Sequence, residues 1–406
     1  MGAKPHVLLI GEAVTLSHVV RPAVLATALH NSGYEVTLAC DPRFNALLGP
    51  QPFRVIPIRS SVDPETVPEM RLIPKPLFDG ATLDRYISED RRLMHTVGAE
   101  VVIGDMRQSL AVSAKRAGVP FINLIDAQFS PHCEMELEVA RPSWMPPLPD
   151  QVNNLIRTVF HPPAHFLMAL PSNLARMRHQ VEGWHEDARD VYSTGDYVLY
   201  PDIPEIVPID GLPPNHHFIG PILWSPSVTM PPWWDSLPSG PPIVFVNISG
   251  SSPRHLLPTT LEALADLPVT VIAVGNEHKA GSAAGKNVFI ADIVPGREAA
   301  ERADLVICNG GNMAVQQSLA VGTPVLCLPS YAEQLMYSRA IAATGAGTRI
   351  EPSEAGVSVI RRQVEGMLSH SAYRKAAQQI ARVMARYDAG KQVKKLVDAI
   401  CVERAA

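Results

Sequence analysis

Nowhere do the 406 residues approach the ~20 consecutive apolar residues that a membrane span requires. The longest apolar runs are strand-length, such as Val7-Leu8-Leu9-Ile10. The run after Met1–Pro5 ends at Gly11-Glu12, too short for the apolar region of a signal peptide, so a cytoplasmic protein is expected. Charge is sparse, with 18% Asp, Glu, Lys and Arg, and the balance of 35 Lys+Arg against 40 Asp+Glu leaves −5 with no basic run. That argues against a nucleic-acid partner held through phosphates. The five cysteines (Cys40, Cys133, Cys308, Cys327, Cys401) are odd in number, far apart and form no CxxC, which indicates neither a disulfide framework nor a zinc site. They read as buried apolar residues.

Several motifs are missing as well. No GxGxxG follows the first strand, and there is no GxSxG and no HExxH, which counts against dinucleotide oxidoreductases, elbow hydrolases and zincins. Gly281–Asn287 has three residues between its glycines and Asn after Lys286, so it fails the P-loop spacing and reads as a turn. His161 and His165 are separated by Pro162-Pro163, against a helix aiming both at one metal. The Asn247-Ile-Ser249 sequon lies on an expected core strand, and no glycan is expected there.

What is present is apolar content, 46%, enough for a sizeable core and two or three domains. Apolar strand His6–Ile10, a loop over 11–21, a helix with Pro22 in its first turn, and strand Tyr34–Ala39 form one βαβ unit. Strand Glu100–Ile103, a helix over 108–117 and strand Phe121–Leu124 continue it. From Pro131 to Trp184 the rhythm fades into what reads as an irregular wall. Proline then crowds Pro201–Pro242, the stiff connector expected at a domain boundary. Alternation restarts with strand Ile243–Ile248, and the last fifty residues look helical. Two doubly wound parallel-sheet halves should leave a crevice between strand carboxyl ends. The expected division is 1–220, a linker at 221–242, 243–385, and 386–406 packing back on the first half.

In the second half, Asp304–Cys308 is a strand followed by Asn309-Gly310-Gly311 and a helix opening at Asn312. Paired glycines let an anionic group approach backbone N–H donors at a helix N-terminus. The continuation through Gln317, Gly322-Thr-Pro324 and Pro329-Ser-Tyr-Ala-Glu333-Gln334 resembles the donor signature of GT-B glycosyltransferases, specifically glycosyltransferase family 1. Asn287–Pro295 is similar to that family's base-binding loop and Phe245–Ser251 to its phosphate loop. Ser17-His18-Val-Val-Arg-Pro22 resembles its Gly-His-x-x-Pro start.

The resemblance implies a GT-B fold of two Rossmann-like domains and an inverting, metal-independent transfer of sugar from a nucleoside diphosphate, UDP or dTDP, to an acceptor in the crevice, and the apolar residues of 129–184 suggest that the acceptor is small and hydrophobic. No cofactor and no metal are expected, consistent with the lack of Asp-x-Asp; a homodimer is left open. In this reading His18 is the general base and Asp105 orients it. Ser249, Gly250, Ser251, Val294, Pro295, Asn309, Gly310, Gly311, Asn312, Met313, Ala314 and Gln317 hold the nucleotide, with Glu333 and Gln334 on the sugar. Phe129, Trp144 and Met145 face the acceptor. Asn309, Ala314 and Gln317 depart from the family's His, Ser or Thr, and Glu. Two rivals stand beside this reading: a nucleotide-sugar epimerase of the same architecture, which would need catalytic carboxylates in place of His18, and a catalytically weak binding partner, motivated by those departures.

Overall fold

The computed structural model describes residues 5–62, 76–135, 150–248, 252–275 and 285–405. Ser249, Gly250, Ser251, Trp144 and Met145 lie outside them.

The first domain is built on a seven-stranded sheet of β1 (His6–Gly11), β2 (Glu35–Cys40), β3 (Arg54–Pro57), β4 (Val101–Asp105), β5 (Phe121–Leu124), β6 (Tyr197–Tyr200) and β7 (His216–Phe218), in the order β3-β2-β1-β4-β5-β6-β7. The second has β8 (Ile243–Asn247), β9 (Thr270–Val274), β10 (Val288–Ala291), β11 (Leu305–Cys308), β12 (Val325–Cys327) and β13 (Gly347–Arg349), in the order β10-β9-β8-β11-β12-β13. Every pairing is parallel. Parallel sheets are covered on both faces, which is why β1 is buried along its whole length. Its alternate residues divide between two cores. Val7 and Leu9 pack with helix Ser17–Asn31 and with Val393, Val397 and Ile400 of the last helix, Ala389–Ala405, while Leu8 and Ile10 pack toward Met94, Leu110 and Ala114.

In each sheet the strand order reverses between two neighbours, β1 and β4 or β8 and β11. Ligands of such sheets bind outside the carboxyl ends at that switch point. The register puts Gly11 beside Asp105 in one domain and Asn247 beside Cys308 in the other.

Two expectations are corrected. The loop over 11–21 ends early: the helix begins at Ser17, the Leu16 carbonyl accepts from Val20 N–H at 3.0 Å, and His18 is helical. Pro22 therefore lies inside the helix and leaves the His18 carbonyl without an N–H four residues on. Gly11 makes room for that turn, since a Cβ there would sit 2.6 Å from the same carbonyl. The stretch expected to be irregular contains a 29-residue helix, Asp150–Arg178, running through Pro162, Pro163 and Pro171. Leu155, Val159 and Phe160 stand exposed on it, so water can satisfy carbonyls that the first two prolines leave unpaired. His161 and His165 are thus one helical turn apart after all, and His165 Nδ1 lies 2.6 Å from Asp187 Oδ1. Among the described residues no group of three or more His, Cys, Asp or Glu is arranged to hold a metal, and no helix is long and apolar enough to cross a membrane. Four of the cysteines are buried, Cys401 is half-buried, and all five are free thiols.

Candidate functional site

The two switch points face each other across a cleft of about 550 Å³. Its first-domain wall is the opening of helix Ser17–Asn31, with Thr15, Leu16, Ser17, His18 and Arg21, joined by Phe44, Asp126 and Ile222. The opposite wall is Asn247, the turn Asn309–Gly311, the first turns of helix Asn312–Ala320, and Glu333 and Gln334 at the start of helix Ala332–Thr344.

His18 Nδ1 lies 2.8 Å from Asp105 Oδ1, and Asp105 is wholly buried at the end of β4. Burial alone would raise the Asp105 pKa; the charges of Arg21 and then His18 override it and hold the carboxyl below the usual range. An ionised carboxylate only accepts hydrogen bonds, and in the neutral tautomer whose Nδ1–H donates to it, Nε2 keeps its lone pair. This is the tautomer a proton acceptor needs.

Arg21, one helical turn after His18, donates from Nε to Asp105 Oδ2 and from Nη2 to Asp105 Oδ1, each at 2.8 Å. Its Nη1 donates to Asp126. Burial opposes the guanidinium charge, but Asp105 and Asp126 outweigh it and push the Arg21 pKa upward. Asp126 also accepts from Asn312 Nδ2 at 3.2 Å, and Gln128 Nε2 donates to Asn312 Oδ1 at 3.1 Å, so the two walls are bonded to each other.

On the second wall, Gly310 adopts φ +78°, a left-handed turn that favours glycine. The turn is braced by Gly311 N–H donating to Asn309 Oδ1 at 3.2 Å. Gln334 Oε1 accepts from Ser330 N–H at 2.8 Å, which fixes the side chain at the start of its helix. Glu333 is half-buried; burial first and Asp126 second raise its pKa, against the opposing pull of His18 and Arg21. Gln317 Nε2 donates to the Trp224 carbonyl, anchoring this wall to the connector.

The structure thus brings His18, Asn309, Gly311, Asn312, Met313, Ala314, Gln317, Glu333 and Gln334 around one cleft, with Asp105 directly behind His18. Gly310 is buried beneath the turn. Val294 and Pro295, buried before helix Gly296–Arg302, are not among the lining residues, and neither is Phe129, whose ring packs on Tyr192 at 5.6 Å. The apolar lining on the first-domain side comes from Leu16, Phe44 and Ile222 instead. Sequence reasoning gave no role to Arg21, Asp126 or Gln128. Arg21 had a signal, since i and i+3 share a helix face, but that signal requires the helix to start before His18. Asp126, two residues beyond β5, had the signal of every residue just past a carboxyl end.

Residues 258–399 match the family described as Erythromycin biosynthesis protein CIII-like, C-terminal domain. A PGL/p-HBAD biosynthesis glycosyltransferase of Mycobacterium tuberculosis is 40% identical over 381 residues, 93% of this chain and 88% of that one. A PGL/p-HBAD biosynthesis rhamnosyltransferase of Mycobacterium bovis is 37% identical over 385 residues, 94% of this chain and 84% of the other. Among solved structures, the spinosyn rhamnosyltransferase SpnG complexed with thymidine diphosphate superposes with a TM-score of 0.67 at 18% identity, covering 97% of this chain and 99% of that chain.

Proposed function

The chain belongs to the PGL/p-HBAD biosynthesis glycosyltransferases, with the GT-B fold, and from that premise we propose that it is an inverting, metal-independent transferase moving a sugar from a nucleoside diphosphate to a small hydrophobic acceptor. The relatives named as transferases support this reading over the epimerase and binding-partner alternatives. One observation carries the reading: a His18 imidazole with Nδ1 committed to Asp105 at 2.8 Å lines the same cleft as the N-terminus of helix Asn312–Ala320.

In the proposed reaction His18 Nε2 takes the proton of the acceptor hydroxyl as its oxygen attacks the anomeric carbon. The bond from that carbon to the diphosphate breaks on the opposite face, and the diphosphate leaves with the electron pair. Negative charge develops on the departing oxygen beside the backbone N–H groups and positive dipole end of helix Asn312–Ala320. Glu333 and Gln334 hold the sugar hydroxyls. Leu16, Phe44 and Ile222 give the acceptor side its apolar surface. Thymidine diphosphate, which SpnG holds, is the first candidate for the donor nucleotide and UDP the second.

The first test is binding without metal. With excess chelator, dTDP is expected to raise the melting temperature, because a ligand that binds only the folded chain stabilises it by mass action. No shift with dTDP, UDP, GDP or CMP would remove the donor-site assignment.

A second expected result concerns Asn309. Replacing it by His adds a donor that can become cationic near a phosphate, but it also removes the oxygen that accepts from Gly311 N–H and braces the Gly310 turn. A net hydrogen bond is worth ~1 kcal/mol, and ~1.4 kcal/mol is tenfold, so Asn309→His should weaken dTDP binding by roughly fivefold. Tighter binding by calorimetry would mean that the Asn is a weakened phosphate contact and not part of a refitted turn.

A further inference from the structure

Three groups crowd the buried side of His18. Asp105 Oδ1 receives Arg21 Nη2 at 2.8 Å and His18 Nδ1 at 2.8 Å, while Nη2 and Nδ1 are themselves 2.8 Å apart. With Nδ1 protonated, two donors converge on one carboxylate oxygen, and a fixed cation sits against the ring that is to accept a proton. Arg21 is held there from both ends, by Asp105 through Nε and Nη2 and by Asp126 through Nη1. Asp126 in turn accepts from Asn312 Nδ2, the first residue of the opposing helix.

We propose that Arg21 is a positioning residue of this site, orienting Asp105 toward His18 and setting a fixed positive charge against the ring that opposes the pull of the carboxylate on it. The proposal rests on the reading of His18 as the base. An Asp105 carboxylate alone would favour the imidazolium, which has no lone pair on Nε2 and is no base. The adjacent guanidinium offsets that attraction without breaking the Nδ1 contact. Asp126 tempers Arg21 and ties it to the second domain, so the charge beside the base is coupled to the contact between the walls. The charged groups facing His18 are Asp105 from β4, Arg21 from its own helix, Asp126 after β5 and Glu333 from the second domain. The variants below leave Asp105 and Glu333 in place.

The test is an NMR titration of the His18 ring nitrogens in the full chain, assigned by difference with His18→Gln, together with the pH profile of kcat/KM. Arg21→Gln removes the cation, so the imidazolium is favoured. The His18 midpoint and the acid limb of the profile should both move to higher pH by about one unit. Arg21→Lys, which keeps the charge, should restore most of the displacement. Asp126→Asn removes an anion and should move both readouts the other way. A merely structural Arg21 would lower activity at every pH and move neither midpoint.

An unmoved midpoint in Arg21→Gln with native circular dichroism overturns the proposal. If Arg21→Gln does not fold, Asp126→Asn decides: a downward midpoint supports the proposal, and an unmoved or upward one overturns it. The ring titration needs no turnover, so failure of the transferase reading would appear as wild-type protein inactive at all pH values while the NMR result still judges Arg21.

Discussion

His18→Ala is expected to lower kcat/KM by about 10²–10⁴-fold while leaving nucleoside diphosphate affinity nearly intact. The separation follows from the cleft's two walls: His18 stands on the first-domain side, whereas the turn Asn309–Gly311 and helix Asn312–Ala320 form the other. Steady-state transfer paired with calorimetry of dTDP measures both halves. Loss of affinity equal to the loss of rate would place His18 on the donor and remove it as base. Unchanged turnover would move the proton acceptor elsewhere.

The largest expected effect on stability is at Arg107. Its side chain is wholly buried and the guanidinium donates to Glu12 at 2.7 Å, to Glu89 at 2.7 Å and to Asp90 at 3.0 Å, lying 3.4 Å over the Tyr86 ring. Glu12 directly follows β1, and Arg107 stands two residues after Asp105, so this network buttresses the switch point on the side away from His18. Met106 between them has φ +56°, a strained backbone for a non-glycine residue. Arg107→Met would leave the buried Glu12 and Asp90 without their cation, at a cost of about 3–5 kcal/mol. The first domain's melting transition should fall by on the order of 10 °C. Burial already raises the Asp90 pKa against the pull of Arg107. Without that pull the folded-state pKa rises further above its unfolded value, so the variant's stability is retained at low pH and lost as pH rises. Calorimetry at pH 5 and pH 8 should therefore show the larger deficit at pH 8; a deficit independent of pH would mean that packing and not charge is lost.

The strand rhythm was legible because apolar strands buried on both faces are hard to mistake. Strand β11, the Asn309–Gly311 turn and helix Asn312–Ala320 lie where the glycine pair and the apolar pattern place them. The pairing of His18 with Asp105 came from the resemblance of Ser17–Pro22 to the family's Gly-His-x-x-Pro start and not from the strand pattern, since His18 lies in the helix that follows β1 while Asp105 ends β4. What failed were the inferences drawn from proline. Pro22 was read as a helix start and Pro162-Pro163 as a break, yet both sit inside helices, because tertiary packing in one case and solvent in the other compensate the missing N–H. The first error hid Arg21, whose place on the His18 face follows only when the helix begins at Ser17. The acceptor side was the least readable. Leu16, Phe44 and Ile222 come from three separate segments, and no local pattern brings such residues together. Phe129 looked equally suitable but spends its ring on Tyr192.

The anomeric configuration of the product formed in excess EDTA tests the central claim most directly. Wild-type protein would be supplied with a dTDP-sugar of known configuration and a panel of apolar alcohols and phenols, and the product examined by NMR. Direct attack by a hydroxyl that His18 deprotonates, with the diphosphate leaving from the opposite face, predicts a single product of inverted configuration at undiminished rate. Retention of configuration, or a product that appears only when a divalent metal is returned, would contradict it.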